Sequence, residues 1–89
     1  MSFDSARPYR LHPQVALRPE PFGALAYHYG NRKLVFLRAP ELVTLVKELG
    51  EHPSADEALA GLPEARRAAF HRALASLSGS DMITEAGRD

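Results

Sequence analysis

The stretch Ala24-Leu25-Ala26-Tyr27-His28-Tyr29-Gly30-Asn31-Arg32-Lys33-Leu34-Val35-Phe36-Leu37 holds two β-forming runs around a Gly-Asn pair. Such a pair between such runs predicts a hairpin closed by a two-residue loop. With the turn centred on Gly30-Asn31, Tyr27 faces Leu34 and Leu25 faces Phe36, all on one face of the hairpin. The other face carries Ala26 opposite Val35 and His28 opposite Lys33. Only this register gathers the large apolar residues; a slip of one residue scatters them over both faces. It also sets His28 and Lys33 on the solvent side as a surface pair.

Upstream of the hairpin, four of the seven prolines fall within the first 21 residues (Pro8, Pro13, Pro19 and Pro21). Each removes a backbone donor and disfavours helix in the residue before it. Residues 1–13 are therefore expected as an extended arm. Gln14-Val15-Ala16-Leu17-Arg18 alternates polar and apolar residues, the pattern of a short strand with Val15 and Leu17 inward.

Downstream the period changes from two to near four. Pro40 suits a first helical turn, and Leu42, Leu45, Val46 and Leu49 recur on one helical face before Gly50. Ser54-Ala55-Asp56-Glu57 is a capping box, opening a short helix with Ala55, Ala58, Leu59 and Leu62 as its apolar stripe. Pro63 starts a third helix, with Phe70, Ala73, Leu74 and Leu77 inward and Gly79 at its end. Met82-Ile83-Thr84 is expected to be a short extended cover on the core, and 85–89 a flexible tail. The domain proper is thus residues 14–84. Strands run together and helices run together, so the fold class is α+β rather than parallel α/β. Three antiparallel strands followed by three helices make a winged-helix-like arrangement.

With 89 residues the chain makes one domain with a thin core. Cysteine is absent, so disulfides, thiolate metal sites and cysteine nucleophiles are excluded together. No apolar run approaches the ~18 residues of a membrane span, and no signal peptide is visible, so a cytoplasmic protein is expected. Eleven basic residues balance eleven acidic ones, which disfavours a nucleic-acid binder. The balance conceals a polarity. Residues 1–38 hold six basic against two acidic residues; residues 39–89 hold five against nine. The first half therefore has room for an anionic partner.

Catalytic chemistry finds no support in the sequence. His12, His28, His52 and His71 show no metal-ligand spacing with one another or with acids. The six glycines stand singly, as turns and caps, so no phosphate loop is present. Ser54 is a cap, and Ser76, Ser78 and Ser80 have no evident histidine and carboxylate partners. No enzyme activity, cofactor or metal is expected.

What remains is surface. The second hairpin strand, at residues 33–37, lies at the edge of the meander, with charge at both ends and an apolar middle. It is either a core strand guarded by its flanking charges or a docking edge to which a peptide adds as a further strand. Arg66, Arg67 and Arg72 leave the third helix basic. That is either a solvated face, a reader of the DNA major groove, or the second wall of a groove beside the edge strand. The groove would favour an apolar, acidic peptide. Strand exchange with a second copy is a further outcome of an open edge, so the chain is expected as a monomer or a strand-exchanged dimer.

Two runs carry a family likeness. His12-Pro13-Gln14-Val15-Ala16-Leu17-Arg18-Pro19-Glu20-Pro21-Phe22-Gly23-Ala24-Leu25 is one, and Tyr27-His28-Tyr29-Gly30-Asn31-Arg32-Lys33-Leu34 is the other. With Phe36-Leu37 and Pro40-Glu41-Leu42-Val43, they resemble the precursor-peptide chaperones of mycofactocin biosynthesis. These belong to the PqqD-like domains, also called RiPP recognition elements. The resemblance spans residues 4–84 and is most specific in Pro-x-Val-x-Leu-Arg and the hairpin.

It implies three strands then three helices, no catalysis, and binding of the leader of a ribosomal precursor peptide as an added strand. It also implies a radical S-adenosylmethionine maturase as partner, which modifies a C-terminal Val-Tyr of the peptide and carries the iron–sulfur clusters. Carried onto this chain, the implied peptide-binding residues are Lys33, Leu34, Val35, Phe36, Leu37 and Arg38 on the strand. On the helix they are Arg66, Arg67, Phe70, His71 and Leu74. The alternative function is a winged-helix DNA-binding regulator.

Overall fold

The computed structural model describes residues 3–86. Its main sheet has three antiparallel strands in the order β2 (Val15–Glu20), β3 (Gly23–His28) and β4 (Leu34–Leu37). Three helices follow: α1 (Pro40–Glu48), α2 (Ala55–Leu59) and α3 (Glu64–Gly79). The fold is α+β. A second, two-stranded sheet joins β1 (Tyr9–Leu11) to β5 (Ile83–Glu85). The segment expected as an extended arm is extended and pairs with β5, with Tyr9 buried in the core and Phe3 packed on it. Glu85, expected in a tail, pairs with Tyr9, and the Arg7 guanidinium holds its carboxylate at 3.0 Å. The rest of that tail from residue 87 lies outside the described residues.

The hairpin register is the one the sequence favours: Leu25 opposite Phe36, Ala26 opposite Val35 and Tyr27 opposite Leu34. The direction of the faces is reversed. Ala24, Ala26, His28 and Leu37 turn inward and are buried, while Leu34 and Phe36 are 53% and 51% exposed. The reason is steric. Helix α1 lies across β3 and β4 on the inner face, and alanines at 24 and 26 let it approach closely. The bulky residues of the same strands are left to the other side.

His28 is buried rather than part of a surface pair because its imidazole builds the turn. Nδ1 accepts the backbone N–H groups of Gly30 at 2.9 Å and Asn31 at 3.1 Å. The turn is wider than a two-residue loop. The Arg32 N–H donates to the His28 carbonyl, and Arg32 adopts φ +64°.

The helical stripes pack as their spacing predicts. Leu42, Leu45, Val46 and Leu49 from α1 and the turn after it are buried with Phe70, Leu74 and Leu77 of α3. Beyond α1 the chain tightens into a 3-10 turn over Leu49–Glu51, so Gly50 lies inside that turn instead of ending the helix. The Ser54 hydroxyl accepts the Glu57 N–H at 3.1 Å and starts α2. At the other end of the sheet, Gly23 has φ +146°, and an added Cβ would collide with the Leu37 carbonyl. Only glycine lets β3 begin there.

Candidate functional site

Strand β4 ends the main sheet, and no described strand pairs with its far side. Its hydrogen-bonding parity follows from the turn. The His28 N–H donates to the Lys33 carbonyl, so 28 and 33 form a bonded pair. Bonded and non-bonded pairs alternate along an antiparallel ladder. Ala26–Val35 and Ala24–Leu37 are therefore the next bonded pairs, and the backbone groups of Leu34 and Phe36 point away from β3. These two residues present N–H and C=O to the open edge and their side chains to the exposed face.

The opposite edge, β2, carries Arg18, Pro19 and Glu20, with Arg18 and Glu20 paired at 3.0 Å. Proline and charge are the usual guards against strand addition. Strand β4 itself, Leu34-Val35-Phe36-Leu37, has neither.

Side chains extend the exposed face beyond β4. The Phe22 ring stands edge-on to Phe36 with centroids 5.7 Å apart, and the Arg38 guanidinium lies 5.2 Å over the Phe36 ring. Tyr29 packs edge-on to Tyr27 at 5.1 Å. Half-buried Leu25 and Tyr27 lie between these groups, so one apolar surface runs across β3 and β4. Arg32, Lys33 and Arg38 make no ion pair among the described residues. The sequence singled out β4 and its flanks but not Phe22 or Tyr29. The face parity, once the inward alanines are recognised, is the signal that finds them.

The residues that the resemblance placed on the helix wall do not form one surface. The Arg66 guanidinium meets Glu41 of α1 at 3.1 Å and lies 5.9 Å over the Phe70 ring. The Glu41 carboxyl is held below its usual range, first by its own backbone N–H and then by Arg66. Arg67 and His71 turn the other way and line a shallow groove between α2 and α3 with Asp56, Leu59, Glu64 and Ala68. The His71 ring also meets Phe3 edge-on at 5.4 Å. Leu74 is wholly buried in the core. Val35 is half-buried and Leu37 buried on the inner face, while Lys33 is exposed at the turn.

One cluster escaped the sequence because its members lie far apart along the chain. His12, His28 and Asp81 bring potential ligand atoms within 4.8 Å of one another. The hydrogen bonds decide its chemistry. Nδ1 of His28 accepts two backbone N–H groups, and Nδ1 of His12 accepts that of Gln14 at 3.0 Å. In each neutral ring the proton is then on Nε2. Those are the atoms that face the Asp81 carboxylate, at 3.8 Å for His12 and 3.6 Å for His28. A cation there would have to displace both protons. The cluster is a clasp of two N–H groups facing a carboxylate beyond hydrogen-bond distance, and Nε2 of buried His28 has no hydrogen-bond partner. It ties together the turns after β1, β3 and α3.

The site thus defines a class: a small α+β domain whose distinguishing feature is an unguarded sheet edge bordered by apolar and cationic side chains. The family follows from comparison. Residues 8–84 match the model of the peptide chaperone MftB family, and the chain belongs to that family, which is non-catalytic. It is 46% identical over 84 residues to the peptide chaperone MftB of Mycobacterium ulcerans, covering 92% of this chain and 77% of that one. To the protein of the same description in Mycobacterium tuberculosis it is 46% identical over 83 residues, with 91% and 76% covered. To that of Mycolicibacterium smegmatis it is 47% identical over 85 residues, with 93% and 83% covered. No solved structure matches the chain significantly. Among the described residues no helix is long and apolar enough to cross a membrane.

Proposed function

We propose that this chaperone binds the leader of a ribosomal precursor peptide as a fourth strand along β4 and presents it, in the cytoplasm, to a radical S-adenosylmethionine maturase. The observation that carries this is the pair Leu34 and Phe36, whose backbone groups face an open edge in a family of peptide chaperones. Main-chain pairing supplies affinity with little demand on peptide sequence, and side chains at alternate positions add selectivity. Holding the leader raises the effective concentration of the remainder of the peptide at the maturase, so a poorly recognised substrate is processed. The basic turn and Arg38 attract an acidic leader and fix its register. The strand members of the site are Lys33 to Arg38. From α3, only Arg66 comes near this edge, through its ion pair with Glu41 just beyond β4.

The test is an amide-shift map of the labelled protein titrated with its precursor peptide. Changes should concentrate on residues 33–38 and on β3 behind them. Changes confined to the α2–α3 groove around Arg67 and His71 would overturn strand addition at β4.

A further inference from the structure

The exposed side of the sheet has a sequence of its own. Leu34 and Phe36 point to that side, and Arg38 joins them because its guanidinium lies over the Phe36 ring. Read at every second residue, the margin is apolar, apolar, cationic. Leu34 and Phe36 are already covered from the β3 side by Tyr27 and Leu25, so what remains uncovered faces outward and toward the open edge. A side chain on an added strand comes within about 5 Å of its direct cross-strand neighbour. Two apolar side chains at alternate positions of a guest would therefore cap Leu34 and Phe36.

The third position has a charge requirement. Arg38 is exposed, makes no ion pair among the described residues, and its guanidinium rests over the Phe36 ring. The acid of the main sheet's strands, Glu20, is already held by Arg18. A guanidinium with a free fork favours a carboxylate.

We infer that the outer face of β4 selects the guest strand, taking an extended peptide with two apolar residues at alternate positions and an acidic residue two further along. This rests on strand addition at β4 and places the selective residues at Leu34 and Phe36 on the strand and Arg38 just beyond its end, with Phe22 as a backstop to the second apolar side chain. The helix α3 is not required for the pattern. Its Arg66 is turned onto Glu41 and its Arg67 faces α2. An antiparallel guest carries the same pattern in reverse.

The test uses a phage-displayed library of random dodecapeptides, selected on the full chain and screened against the Leu34→Pro variant, which lacks one outward N–H. Peptides retained by the first and lost by the second should share the apolar–x–apolar–x–acidic pattern or its reverse. Against a selected peptide, Phe36→Ala should lose about tenfold in affinity. Arg38→Glu should lose a salt-dependent factor of similar size and regain it when the acidic position of the peptide becomes lysine. Edge-dependent peptides without the pattern, or binding indifferent to Phe36→Ala and Arg38→Glu, would overturn the inference and leave strand addition standing. Should Leu34→Pro not fold, those two variants carry the test alone. If no selected peptide depends on the edge, or if a stable dimer covers this face at the working concentration, both fail together.

Discussion

Proline at position 34 separates backbone pairing from everything else the edge does. The Leu34 N–H points outward and makes no bond within the sheet, so its loss costs the β3–β4 ladder nothing. With a peptide in place, the same change removes one main-chain bond and leaves a peptide carbonyl without a donor, at about 1–3 kcal/mol. That corresponds to a roughly 5- to 150-fold weaker complex. The Leu34 side chain is lost as well. It is half exposed in the free protein, so covering it contributes about 1 kcal/mol. Leu34→Ala measures that part by itself.

Calorimetric titration of Leu34→Pro, Leu34→Ala and Val35→Pro with the precursor peptide, beside thermal melts of each, makes the comparison. Leu34→Pro should bind about 5- to 150-fold more weakly than Leu34→Ala while melting close to it. Val35→Pro should show the reverse emphasis. Its N–H belongs to the pair with Ala26, so the Ala26 carbonyl is left unpartnered and stability falls by about 1–3 kcal/mol. If Leu34→Pro is folded and binds as tightly as Leu34→Ala, the peptide does not pair with β4.

Gly23→Ala should destabilise the protein by about 2 kcal/mol or more, because φ +146° and the Leu37 carbonyl both exclude a Cβ; denaturant unfolding measures it. His28→Ala should cost about 1–3 kcal/mol by the same measurement, since it leaves the Gly30 and Asn31 N–H groups without their acceptor. Glu41 has its folded-state pKa lowered, so its contribution to stability is present above the ordinary carboxylate value of 4.5 and is lost as pH falls through the lower folded value. In Arg66→Ala the Glu41 midpoint, followed by carboxyl chemical shift, should rise toward 4.5 without reaching it, because the backbone N–H remains.

The register of β3 and β4 is legible because it depends only on parity and on where the turn falls, and both are local. Which face turns inward is not local. It depends on α1, whose approach favours Ala24 and Ala26 over Leu25 and Tyr27, and large residues look like core until that neighbour is placed. The helical stripes of α1 and α3 are legible for the opposite reason: the large apolar residues of each fall on one face, Leu42, Leu45 and Val46 on α1 and Phe70, Leu74 and Leu77 on α3. The β1–β5 pair, three residues a side, offers no alternation long enough to read, and its partners lie at opposite ends of the described chain. The strand half of the candidate site was visible as an apolar run between charges. The helix half was not, since sequence leaves the rotation of α3 open, and a single residue step separates a guanidinium on Glu41 from a guanidinium facing α2. The His12–His28–Asp81 clasp needs three turns to be brought together, and no spacing rule anticipates that.

An edge that lacks proline or charge along Leu34–Leu37 does not distinguish a visitor from a twin. Two copies laid β4 to β4 would satisfy the same N–H and C=O groups that the proposed leader strand would satisfy. Peptide binding there and self-association would then compete for one surface. Were both to occur, the hydrodynamic size of the protein would report the state of β4: small with a guest strand in place, larger when concentrated without one.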